Sequence, residues 1–271
     1  MKHLKGGYKY IFLGTVVIAV VFCVLAGCKF IQHEKDQNRR IYDLECKVAN
    51  LQAENSVPSV TWNREDYNYL AIGNSITLHG KNDYWWNECG MASSRLENDY
   101  VHQLSSLLQN QKQEKVVACA YNFSMWEVQS ADRAETLPIL NSLMSKDLDL
   151  VTIQLSENAT DLVTFESDFE ELIRYVQTGA PNAQVLVIGD FWDKSEKDSM
   201  KKVACQNCGV TFVSLNEIKE NDAYQCDLGT IVYDEEKNPH TVEHDGVAKH
   251  PGDAGMEWIA KRIMDIVGDK D

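Results

Sequence analysis

Five short, nearly continuous apolar runs, separated by stretches with helical periodicity, constrain this chain more than any other feature. The runs fall at 69–72, 115–123, 148–155, 184–188 and 210–215. Runs of Val, Ile, Leu and Ala without strict alternation suit strands buried on both faces, as in a parallel sheet covered by helices. The intervening helical segments are 97–111, 131–145, 165–178 and 195–205, with a last one at 253–267. Strand–helix alternation of this kind predicts an α/β domain, a three-layer α/β/α sandwich with right-handed crossovers. Open parallel sheets bind ligands beyond the carboxyl ends of their strands. The segments to read for chemistry are therefore 73–80, 122–127, 156–160, 189–193 and the loop before the last helix.

Ahead of this pattern lies a different composition. Lys2, Lys5 and Lys9 precede an uncharged, largely apolar stretch at 10–27, and charge returns at Lys29. A basic flank followed by an apolar stretch of that length is what membrane anchoring or export requires, with the flank inside. Leu25-Ala26-Gly27-Cys28 resembles a bacterial lipobox, so 1–28 is either a lipoprotein signal ending at Cys28 or, the favoured reading, an uncleaved transmembrane anchor. In both cases the remainder is expected at the cell surface, outside the cytoplasm. Ile41, Leu44, Val48 and Leu51 then mark one face of a helical stalk within 29–57. Ser56-Val57-Pro58-Ser59 ends it, placing the globular domain at 58–271.

The charge balance narrows the partners. With 26 basic against 41 acidic residues, a net charge of −15, the surface repels a phosphate backbone, so nucleic acid is not an expected partner. A neutral or weakly charged substrate suits it better.

Three of the selected segments carry residues that make a chemical set. Ser75, in Gly73-Asn74-Ser75-Ile76-Thr77, follows the first strand in a Gly-containing turn. A serine hydroxyl needs a neighbouring base to become a nucleophile, and His is the side chain suited to that work near neutral pH. His250, in His250-Pro251-Gly252-Asp253, opens the last helix and can return to the same sheet edge. Asn158, in Leu155-Ser156-Glu157-Asn158, ends the third strand with an amide able to stabilise an oxyanion. Taken singly, each has a plain structural role: a turn residue, a helix-start residue and a helix cap. Taken together, they are the nucleophile, base and oxyanion donor that a serine hydrolase would require. The Gly-x-Ser-x-Gly elbow of α/β-hydrolases is absent, because Thr77 stands where its second Gly would be.

These three blocks, in this order, resemble those of the SGNH hydrolases, the GDSL-like esterases and lipases, over about 67–267. The resemblance implies a flavodoxin-like sheet and a covalent acyl-enzyme. It casts Ser75 as nucleophile, His250 as base and Asn158 as oxyanion donor alongside the backbone N–H of Ser75. Several positions depart from the family pattern. Asn74 replaces the usual Asp, Ser156 replaces a Gly, and Tyr121-Asn122-Phe123-Ser124 holds no Gly to lend its N–H, leaving Ser124 as the substitute donor. Val247 occupies the place of the family's acid, three residues before His250. Asp245 is the chosen acid, with Glu243 or a backbone carbonyl as alternatives. The resemblance and the surface location imply an acylated carbohydrate as substrate, with no metal or organic cofactor. An acyltransferase, or a glycan-binding protein with a degenerate site, are the competing readings.

Remaining features are secondary. Trp85, Trp86 and Trp126 follow the first and second blocks, where flat rings can stack on sugar or equally pack the core. His79, four residues beyond Ser75, is expected to point away along the loop. Among 8 cysteines, Cys205 and Cys208 have the spacing of half a zinc site or of a redox pair, and also fit an exported disulfide or plain packing.

Overall fold

A computed structural model describes residue 29 and residues 57–130, 132–192 and 195–268. The expected anchor, Cys28 and all but the first and last residues of the expected stalk lie outside these residues. Contacts divide the chain into Met1–Leu51 and Gln52–Asp271, and the sheet with its covering helices belongs wholly to the second unit. Among the described residues, no helix is long and apolar enough to cross a membrane.

The elements run β1 (Tyr67–Gly73), α1 (Tyr100–Lys112), β2 (Val116–Asn122), α2 (Ser124–Val128), α3 (Arg133–Thr136), β3 (Leu150–Gln154), α4 (Phe165–Gly179), β4 (Gln184–Ile188), α5 (Ser195–Cys208), β5 (Thr211–Val213), β6 (Ile231–Tyr233), β7 (Pro239–Thr241), α6 (Asp245–Ala248) and α7 (Asp253–Gly268). Strands β1–β5 form one parallel sheet in the order β2-β1-β3-β4-β5. That is the flavodoxin-like order, whose switch point lies between β1 and β3. All five apolar runs become strands of this sheet.

The pleat sends alternate residues to opposite faces. Leu70 and Ile72 of β1 join one core with α4 and the 137–143 segment, where Phe165, Phe169 and Leu172 are buried. Tyr69 and Ala71 join the other, with Leu104 and Leu108 of α1 and Met256, Ile259 and Ile263 of α7. Val57, Val60 and Trp62 pack against the first core, and the Trp62 indole N–H donates to the Leu143 carbonyl at 2.9 Å.

Two segments differ from expectation. The helix expected at 131–145 is a single turn, α3, followed by a 3-10 segment Leu137–Ser142 with Pro138 at its start. Proline lacks the N–H that an α-helix would use there. The second difference is the antiparallel pair β6–β7, too short to show a strand period in sequence. With α6 it covers a small third core containing Trp85, Cys89 and Val242.

Candidate active site

Gly73 ends β1 where no larger residue fits. A Cβ there would overlap the Thr77 side chain and lie 2.9 Å from the Gln154 carbonyl. The chain then turns tightly: Asn74 Oδ1 accepts the Ile76 N–H at 3.0 Å, and the Asn74 carbonyl accepts the N–H groups of Thr77 and Leu78. The turn leaves Ser75 partly exposed at the carboxyl edge of the sheet.

His250 reaches that edge from the far end of the domain. Its Nε2 lies 2.8 Å from Ser75 Oγ, across 175 residues of sequence. Its Nδ1 lies 2.7 Å from the Gly246 carbonyl. A carbonyl only accepts, so Nδ1 carries the proton, and Nε2 presents its lone pair to the Ser75 hydroxyl. The ring is 8% exposed. Its pKa is lowered to about 4, chiefly by burial, with the Gly246 contact opposing the shift and His79 adding to it. At neutral pH the imidazole is therefore an uncharged base.

Asp245 does not orient this ring. It heads α6, exposed to solvent, and Glu243 is exposed as well. The turn of α6 instead brings the carbonyl four residues before His250 onto Nδ1. The last carbonyls of a helix have no intrahelical partner. Here the His250 N–H bonds to Val247 at 3.0 Å, leaving the Gly246 carbonyl for the ring. Trp192 completes this side, its indole edge-on to His250 with centroids 4.9 Å apart and its N–H on the Lys249 carbonyl at 2.8 Å.

On the opposite side stands Asn158, exposed at the end of β3, its Nδ2 donating to Glu127 Oε2 at 2.6 Å. Ser124 is not available in the way the sequence suggests: its N–H is taken by Asn122 Oδ1 at 3.0 Å, closing a local turn. The third-block Ser156 has φ of 125°, a conformation that favours glycine. Two contacts hold it there. Its N–H donates to Glu127 Oε1 at 2.5 Å, and its hydroxyl donates to Asp190.

The tryptophans separate by burial. Trp85 and Trp126 are fully buried and cannot stack on a ligand. Trp126 meets Phe165 and Phe169 edge-on beneath the Arg133 guanidinium, and Trp85 fills the third core. Large apolar rings next to a sheet edge gain more from that burial than from exposure. Trp86 is half-buried and stacks on His240 at 4.5 Å. Cys205 and Cys208 are free thiols, the first pushed up to about 12 by burial. Among the described residues no cluster of three metal-ligating side chains occurs.

Two participants were not foreseen from sequence, Glu127 and Trp192, and the backbone carbonyl left open there as a partner of Nδ1 is that of Gly246. Glu127 carried the clearest signal, an acid between Met125-Trp126 and Val128 immediately after the second block.

No family model and no curated protein matches the chain by sequence. Solved structures do match. A two-domain esterase active on acetylated mannans shares 19% identity with a TM-score of 0.52, covering 82% of this chain and 52% of its own. A Clostridium thermocellum family two carbohydrate esterase, solved with cellohexaose, gives 15% and 0.50, covering 78% and 66%. A Clostridium thermocellum family 3 carbohydrate esterase gives 17% and 0.50, covering 75% and 98%. The chain thus spans about half the length of the first and about two thirds of the second. The sheet order, the three blocks at its carboxyl edge and these likenesses agree: the domain has the SGNH hydrolase fold, shared with carbohydrate esterases.

Proposed function

We propose that this protein is a serine ester hydrolase that removes acetyl or other short acyl groups from carbohydrate, working outside the cytoplasm on a membrane tether. One observation carries the chemistry: Ser75 Oγ lies 2.8 Å from Nε2 of a neutral, tautomer-fixed His250. Ser75 Oγ attacks the ester carbonyl carbon while its proton passes to Nε2. The acyl oxygen, now negative, is held by the Asn158 amide and the Ser75 backbone N–H. Collapse breaks the ester C–O bond, and the leaving alkoxide takes the proton from Nε2. Water then repeats the sequence on the acyl-enzyme. The imidazolium formed in each half is held by the Gly246 carbonyl dipole in place of a carboxylate. Three fold relatives being carbohydrate esterases supports a sugar-borne ester as substrate. The basic flank and apolar stretch at 10–27 support the tether.

The test is turnover of 4-nitrophenyl acetate, and acetate release from acetylated polysaccharides, by the full chain. Ser75→Ala is expected to lower kcat by about 10⁴-fold or more. Equal turnover by wild type and Ser75→Ala would remove the basis for this reading.

A further inference from the structure

Glu127 is fully buried, and two separate loops converge on its carboxyl group. Oε1 accepts from Asn74 Nδ2 at 3.0 Å and from the Ser156 N–H at 2.5 Å, with the Asn158 N–H at 3.5 Å. Oε2 accepts from Asn158 Nδ2 at 2.6 Å. Glu127 itself follows β2, while Asn74 follows β1 and the other two follow β3. One carboxyl group therefore ties together the ends of three adjacent strands.

Every one of these partners is an N–H donor. A proton on Glu127 would find no acceptor among them, so the shell fits a carboxylate. Burial holds the group above its ordinary value, and the N–H donors pull it only part of the way back. The same polarity accounts for Asn74. An Asp in its place would set a second carboxylate about 3 Å from the first, where like charges repel strongly. Asn keeps the Oδ1 contact that closes the Ser75 turn and supplies the donor that Glu127 needs.

We propose that Glu127 is the positioning residue of the oxyanion pocket: its carboxylate fixes the Asn158 amide so that the second Nδ2–H faces the acyl oxygen. This rests on the esterase reading above. It also makes a prediction of definite sign. The charge of Glu127 stands one amide away from the developing oxyanion, which by itself disfavours the transition state. If orientation dominates, neutralising Glu127 slows the reaction; if charge dominates, neutralising it accelerates the reaction.

The experiment compares the full-length wild type, Glu127→Gln, Asn158→Ala and the double variant on 4-nitrophenyl acetate, with thermal melting as a fold check. Each single change is expected to lower kcat by about 10²–10³-fold, the size of one lost oxyanion donor, with KM shifted less than about threefold. The double variant is expected to be no slower than Asn158→Ala. Retained or increased kcat in Glu127→Gln, or losses that multiply in the double variant, overturn the role. Should Glu127→Gln not fold, difference infrared spectra of wild type and Asn158→Ala read the same contact. An ionised Glu127 whose carboxylate stretch shifts on loss of the amide is expected, and a protonated or unshifted Glu127 overturns the proposal. An inactive wild type is a separate result: it sinks the esterase reading, and this role with it.

Discussion

On the base side of the site, His250 leans on one carbonyl, Gly246, and one ring, Trp192. On the far side, below Ser156, lies a buried charged network. Lys201 is fully buried, with its ammonium 2.5 Å from Asp190 and 3.4 Å from Asp198, and it also donates to the carbonyls of Leu155 and Ile188. Burial alone would lower the Lys201 ammonium, but these two carboxylates hold it above its ordinary value. Lys219 pairs with Asp198 at 2.5 Å, and Lys197 donates to the Ser156 carbonyl at 2.6 Å. The difference follows from what each side must do. Orienting a base needs only a fixed tautomer, and one acceptor on Nδ1 suffices. Holding a serine at a φ of 125° needs a surrounding that over-determines it.

That contrast can be broken at several points. The largest effect on stability is expected from Lys201→Met, which strands the Asp190 carboxylate in the core. A loss of about 3–5 kcal/mol in denaturant unfolding is expected for a broken buried pair. A loss below about 1 kcal/mol would show that the network is not what holds Ser156.

A smaller effect, seen only in acid, is expected from Trp192→Ala. Neutral His250 is the working form, so kcat/KM should be full above its pKa and fall as pH drops through about 4. Removing the indole admits water to the ring and raises that pKa towards its ordinary value. The acid limb should then move to higher pH, costing several-fold at about pH 5 and little at about pH 8. The same lowered pKa has a stability consequence. The unfolded chain takes up a proton near the ordinary histidine value, which the folded ring refuses. Stability present above about pH 6.5 is therefore lost progressively as pH falls towards 4. An acid limb that does not move in Trp192→Ala would locate the source of the burial elsewhere.

Smallest of all is the expected effect of Asp245→Asn. A triad acid would cost about 10⁴-fold on this change. An exposed residue that leaves Nδ1 to a carbonyl should cost less than about twofold, read from kcat at neutral pH. A large loss would return the base side to a charged support.

The site was legible in proportion to how local its determinants are. Ser75 and Asn158 sit at strand ends, and the continuous apolar runs fix where strands end. His250 was legible from its own block before the last helix. The Gly246 carbonyl was only an open alternative, because which acceptor meets Nδ1 depends on how α6 turns, and Asp245 and Gly246 are adjacent. Ser124 was misjudged for a similar reason: a free N–H and one captured by Asn122 look alike in sequence. Trp85 and Trp126 failed as markers because nearness to a block along the chain says nothing about whether a ring packs inward. Trp85 and Trp126 went inward, where their area is worth most.

Sequence by itself determined the parallel sheet, since only strands covered on both faces can bury such runs. It likewise determined the pairing of a serine with a distant histidine, through two blocks with few other uses. Tertiary structure decided how that pair is supported. The spacing between Glu127 and Asn158 spans 31 residues, and that between Ser75 and His250 spans 175. Contacts of that reach depend on strand order and on the depth to which each side chain is buried. They decided that the buried acid of this site stands behind the Asn158 amide rather than behind the His250 ring.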